Sequence, residues 1–337
     1  MNFILTTFKI ILIEYLILFS HEIVHYITSL ILGFKASSFY LFPLNLYKKD
    51  SKVNIKIVTF KDNFVTSKIH FNSIKVSSKL EYNILIKKLR IFFWVGPIFD
   101  FIVFIILFSI GVNKIEYSYL ALISLIHFSL STLNFFNSDG KYAIGSKEDK
   151  RIAFDVARSA TICGNGIVSN ESQRILTDMH IKIAENINLD LFDVNDLWNF
   201  LNNISFYTNS LLSYLNKDLL LLHPSTFEFL SSLENDFDNI KKYDYRQIEK
   251  TSLSLLYYFI YKKLLDRSFI PNSDILDKVY KGLNSNYYKR ILSLYFNNET
   301  RYIKYLSDED NLPSIISSYE GYSKLLINLV NLYNYEI

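Results

Sequence analysis

The run from Ile91 to Val112, IFFWVGPIFDFIVFIILFSIGV, carries a single charge, Asp100. About 20 mostly apolar residues suffice to cross a bilayer as a helix. In lipid each backbone N–H and C=O must be satisfied within the segment or a closed barrel, so such a run can hardly be anything but helical. Two more apolar runs flank it. One extends from Phe3 to Phe34, broken by Lys9, Glu14 and a polar group at 21–25; the other extends from Tyr117 to Phe136. Only Asn113, Lys114, Ile115 and Glu116 separate the second run from the third, which predicts a tight antiparallel hairpin. No small-residue cleavage site follows the first run, so it reads as a span rather than a removable signal.

Basic residues set the orientation. The segment from Lys35 to Arg90 has 12 Lys and Arg against Asp50, Asp62 and Glu81, and the sequence GSKEDKR follows the third run. These sides are expected to face the cytoplasm, with the N-terminus outside and the polar end of the first run near the cytoplasmic face. Beyond about residue 145 the chain turns mixed and periodic. The two parts carry net charges of +7 and −4. The expected fold class is therefore α: a polytopic membrane protein with three core transmembrane helices (about 3–34, 91–112 and 117–136), a small β insertion between the first and second, and an α-helical cytoplasmic domain. The expected domains are 1–145 and 146–337. The single cysteine, Cys163, excludes a disulfide framework and a cysteine-rich metal cluster. The Ile, Asn, Lys, Phe and Tyr bias fits an AT-rich bacterial genome, and no nucleic-acid partner is expected.

Within 35–90, KVNIKIVTF alternates apolar Val53, Ile55 and Ile57 with polar neighbours, FVTSKIHF carries a similar alternation, and KDN lies between them as a turn. A small antiparallel sheet beside the membrane is the expectation. In the second half, KTSLSLLYYFIYKKLL (250–265) and the closing YSKLLINLVNLYNYEI read as helices. CGNG at 163–166, HPS at 223–225 and IPNSD at 270–274 punctuate them.

The polar group in the first run is His21-Glu22-x-x-His25. On a helix, residues i and i+4 share a face, so both imidazoles can address one ion, with Glu22 able to reach a water on it. A catalytic zinc takes three protein ligands and keeps one position open. The third run ends in LNFFNSDGKYAIG and returns to the side where the first run ends, which makes Asp139 the natural third ligand. Asn134 and Asn137, just upstream, are candidates to hydrogen-bond a substrate carbonyl or developing oxyanion.

HEIVH at 21–25, GPIFD at 96–100 and NSDG at 137–140 occur in that order. Together they resemble the site-2 protease family of zinc intramembrane metallopeptidases. The resemblance covers about residues 1–145. It departs from the family where Asp100 stands at an Asn and where a Pro of the third motif is missing, and the family's substrate-clamping Asn matches either Asn134 or Asn137. It implies Zn2+ on His21, His25 and Asp139, and Glu22 as general base. It further implies cleavage of a membrane-spanning or membrane-associated protein or peptide, such as a tethered regulator or a peptide precursor, held by strand addition to a β element in 35–90. The lipid bilayer and a cytoplasmic protein partner of 146–337 are the other expected partners. The competing reading is a catalytically inactive membrane anchor whose helical domain is a protein-interaction module.

Other polar residues have plainer readings. Asp100 reads as a buried, hydrogen-bonded helix-packing residue. Glu14 reads as lining a water path or pairing with Lys9 or another span. His127 reads as packing, with Ser124 and Ser131 as interspan hydrogen bonders. His70, His180 and His223 read as surface residues.

Overall fold

Thirty residues from Asn2 to Ile31 form α1, whose run of Leu, Ile and Phe contains no proline or glycine to interrupt it. In the computed structural model the helix ends at Gly33, which takes φ +82°, and Lys88 donates to the Leu32 carbonyl at 2.8 Å. The described residues are 2–34, 36–41, 44–49, 52–57, 68–71, 76–111, 115–132, 139–162, 169–187, 197–240, 245–308, 311–313 and 320–336. Asn134, Asn137 and Cys163 lie outside them.

Four short strands follow: β1 (Ala36–Leu41), β2 (Leu44–Lys49), β3 (Lys52–Ile57) and β4 (Lys68–Phe71). They form one antiparallel sheet in the order β3-β2-β1-β4. β1 pairs with β2 from Ser38↔Tyr47 to Leu41↔Leu44, and β2 with β3 from Leu44↔Ile57 to Lys49↔Lys52. The β1–β4 ladder shifts register between Ala36 and Ser38. β1 and β4 lie against α1. Ile55 and Ile57, two residues apart on the edge strand β3, are both exposed.

Next come α2 (Lys79–Gly111), α3 (Ile115–Thr132), α4 (Asp139–Glu148) and α5 (Lys150–Ile162). Pro97 lies inside α2. It has no N–H to give, so the carbonyl one turn earlier, at Phe93, loses its helical partner. Gly111 lets α2 and α3 meet closely. A Cβ there would lie 2.8 Å from the Ser118 backbone nitrogen, and the Ser118 hydroxyl donates to the Gly111 carbonyl at 3.0 Å. By length and composition, two helices among the described residues can cross a membrane, Leu5–Ile31 and Lys79–Gly111. The run expected as a third span is helical as α3 up to Thr132, and its last residues lie outside the described ones.

The chain divides into two compact units, Met1–Ile74 with Leu80–Ala160, and Lys75–Lys79 with Thr161–Ile337. The division thus falls near 160 rather than 145. The reason is local: Tyr82 on α2 donates its hydroxyl to the Ala153 carbonyl at 3.3 Å, and Phe154 and Ala157 of α5 are fully buried.

Every regular element of the second unit among the described residues is a helix: α6 (Asn170–Ala184), α7 (Leu197–Leu215), α8 (Pro224–Asn235), α9 (Phe237–Ile240), α10 (Tyr245–Leu265), α11 (Ser273–Gly282), α12 (Asn286–Asn297), a 3-10 turn at Thr300–Tyr302, α13 (Ile303–Leu306) and α14 (Glu320–Glu336). The sequence punctuation marks helix starts. His223 accepts from the Ser225 N–H, with Pro224 in the first turn of α8, and Asn272 accepts from the Asp274 N–H at the start of α11. Side-chain capping of this kind satisfies donors that the first helical turn leaves open. The core is aromatic. Tyr207 stacks on Phe229 with centroids 4.5 Å apart, Tyr287 donates to the Leu306 carbonyl at 2.9 Å, and the Arg290 guanidinium lies 3.7 Å from the Tyr305 ring centre.

One reading of the sequence is corrected here. His180 is fully buried, not a surface residue. It continues the stripe of Leu176 and Ile183 along α6, both buried. Ser210 spends its hydroxyl proton on the Phe206 carbonyl at 2.7 Å, so the 3.0 Å contact with His180 Nδ1 has the imidazole donating. Nε2 then accepts from the His223 backbone N–H at 3.3 Å. Burial favours this neutral ring and pushes its pKa down to about 4.

A candidate metal centre

His21, Glu22 and His25 fall on the buried side of α1, four residues bringing the second histidine one turn beyond the first. Their ligand atoms lie within 4.8 Å of one another, and the three side chains can hold a metal ion. The two imidazoles converge through their Nε2 atoms, 3.2 Å apart. Glu22 Oε1 stands 3.8 Å from His21 Nε2.

Asp139 comes from α4. Its Oδ2 lies 3.3 Å from His21 Nε2 and 3.1 Å from His25 Nε2, so the three atoms form a nearly equilateral triangle. Several contacts hold α4 in this position. Tyr142 stacks on Phe93 of α2 at 5.1 Å, and Arg90 donates to the Ala143 carbonyl at 3.0 Å. Burial and the nearby Asp155 and Asp139 push the Tyr142 phenol up to about 12, so it stays neutral. Gly140 packs directly on the end of α3, where a Cβ would meet Thr132 Cα at 2.6 Å and the Ser131 carbonyl oxygen at 2.7 Å. Asp139 also sits in the first turn of its helix, where the helix dipole favours a carboxylate.

From α2 the site receives a glycine and an acid on one stripe. Phe92, Gly96 and Asp100 are spaced by four and all are buried. A Cβ on Gly96 would lie 2.3 Å from His25 Nε2 and 2.5 Å from His21 Nε2. Gly96 is therefore where α2 lies directly against both imidazoles, and any side chain there would collide with them. Phe92 packs its ring against His25, with centroids 4.8 Å apart.

No family model, curated protein or solved structure matches the chain.

The identity of two partners escaped the sequence. Asp100 is buried and hydrogen-bonded as expected, and its partner is His21: Oδ2 accepts from His21 Nδ1 at 2.9 Å. His127 of α3 pairs with Glu14 of α1, Nε2 to Oε1, at 2.5 Å. Glu14 and His21, seven residues apart, lie on nearly the same face of α1. Which residue of another helix meets them depends on helix rotation, which spacing does not encode. Ser131, expected to bond between spans, instead donates to the Phe128 carbonyl of its own helix.

Proposed function

We propose that this chain is a zinc-dependent intramembrane endopeptidase. It would hydrolyse a membrane-spanning or membrane-associated protein or peptide, with His21, His25 and Asp139 as metal ligands and Glu22 as general base. The observation that carries the reading is the triangle of ligand atoms, with edges of 3.1, 3.2 and 3.3 Å. Tetrahedral zinc with bonds of about 2.0–2.1 Å separates its ligands by about 3.3 Å. The two-nitrogen, one-oxygen donor set agrees with the same ion.

When bound, zinc lowers the pKa of a coordinated water towards neutrality and polarises a carbonyl. The other tasks belong to the chain. Glu22, buried beside His21, takes the proton of the attacking water and returns it to the leaving amine. Asp139, about a quarter exposed, is the least enclosed of the ligands, and substrate enters on its side. Asn134 or Asn137 steadies the oxyanion. A substrate helix must unwind before it is cut, and in lipid each freed backbone group costs several kcal/mol unless satisfied. An edge of the four-stranded sheet, lying against α1, offers those groups a strand to pair with.

Membrane placement belongs to this proposal. Support comes from the two long apolar helices and from the apolar side chains they expose, among them Phe8, Ile11 and Leu12 on α1 and Ile102, Ile105 and Phe108 on α2. A surface of this kind suits lipid better than water. With α3 as the third span, the chain is multi-pass in a cell membrane. The N-terminus is outside and the helical second unit, in the cytoplasm, meets a protein partner.

Metal analysis of the purified full chain separates a working peptidase from an inactive anchor. The peptidase holds about one zinc per chain and loses it in His21→Ala. A wild type free of bound metal after purification in zinc-supplemented medium contradicts the proposal.

A further inference from the structure

Asp100 is the only charge in the run from Ile91 to Val112 and is 1% exposed. A carboxylate in such surroundings is costly and is retained where it has work to do. Its Oδ2 receives the Nδ1 proton of His21 at 2.9 Å, on the opposite edge of the ring from the nitrogen that faces Asp139 and His25. In the neutral ring this bond fixes the proton on Nδ1 and leaves the Nε2 lone pair for the ion. His25 has no such support among the described residues. Its Nδ1 is buried without a hydrogen-bond partner, and its ring is placed by packing on Phe92. Gly96 and Asp100, one turn apart on α2, thus both meet the same imidazole: the glycine lets the ring lie directly against the helix, and the acid sets its tautomer and plane.

We propose that Asp100 is a positioning residue for the metal centre, forming a carboxylate–imidazole–metal relay through His21. The inference rests on the zinc reading above. A carboxylate behind a ligating histidine orients the ring and raises its basicity, and removing such a partner typically weakens metal binding 10- to 100-fold. Asparagine is a poor substitute. It is uncharged, and its amide can turn its NH2 towards Nδ1, which favours the tautomer with the proton on Nε2, the nitrogen the metal needs.

The test compares zinc affinity, by chelator competition, for the detergent-purified full chain and for Asp100→Asn and Asp100→Ala. The expected losses are about 10-fold for Asn and up to about 100-fold for Ala, with the melting temperature of the metal-free Asn variant close to wild type. Nitrogen-15 NMR of histidine-labelled wild type, loaded with zinc, needs no variant and keeps the test decisive if either substitution fails to fold. His21 should be protonated on Nδ1 and metal-bound through Nε2. Wild-type affinity in Asp100→Asn, or zinc on Nδ1 of His21, overturns the positioning role while leaving the zinc centre standing. A wild type that binds no zinc overturns the zinc reading itself and this inference with it.

Discussion

A Cβ placed on Gly96 would lie 2.3 Å from His25 Nε2, inside any permitted contact. α2 can therefore lie against the imidazoles of α1 only because residue 96 has no side chain. Gly96→Ala should abolish zinc binding while leaving the helix intact, since alanine is the better helix former by about 1 kcal/mol. Zinc content and circular dichroism of the purified variant check this. Retained zinc would mean that the ion sits elsewhere.

Gly140 makes an analogous approach to backbone rather than to side chain, and backbone cannot swing aside. Gly140→Ala should push α4 off the end of α3 and carry Asp139 with it. We expect at least a 10-fold loss of zinc affinity, with destabilisation of about 1–3 kcal/mol. The corresponding measurements are chelator competition and thermal melting.

The Glu14–His127 pair ties α1 to α3, with Glu14 seven residues before His21 on α1. Glu14 Oε2 is buried with no hydrogen-bond partner among the described residues, so the pair holds the carboxylate by one strong contact. Glu14→Leu or His127→Leu alone should destabilise the chain by about 1–3 kcal/mol, because the surviving partner is left without its counter-charge. The double substitution should cost less than the two single ones together. Unfolding of the four proteins in mixed micelles measures the coupling, and strict additivity would show that the pair contributes nothing.

His180 gives the second unit a pH dependence of known sign. An unfolded histidine binds its proton near pH 6.5, whereas the folded ring resists protonation down to about 4. The unfolded state thus holds more protons between these values. The stabilising contribution is complete above about pH 6.5 and falls as pH drops through the window, with a loss of about 3 kcal/mol by pH 4. The facing groups are Ser210, the His223 backbone N–H and the His223 ring. Thermal melting from pH 7 to pH 4 should fall more steeply for wild type than for His180→Gln; parallel curves would contradict this account.

The parts of the site legible in the sequence are those governed by local geometry. The four-residue step from His21 to His25 is enough to converge two imidazoles on a helix, and alternation at Val53, Ile55 and Ile57 is enough to suggest the strand that β3 is. His180 also carries a local signal, since Leu176, His180 and Ile183 mark one face of α6, but a histidine's polarity points the other way. Illegible were the pairings that depend on how helices rotate against one another. Asp100 meets His21 across a separation of 79 residues, and Glu14 meets His127 across a still longer one. Motif spacing places each on its own helix face but does not say what the neighbouring helix presents there.

The central claim is peptide hydrolysis by Glu22 at this centre, and a matched pair of proteins tests it most directly. Wild type and Glu22→Gln are each co-expressed with tagged single-span substrates, and both zinc content and substrate cleavage are measured. The substitution removes a base and no ligand. The account therefore predicts equal zinc in the two proteins, cleavage by wild type, and at least a 10²-fold loss of cleavage in Glu22→Gln. Undiminished cleavage by a zinc-loaded Glu22→Gln protein would contradict it.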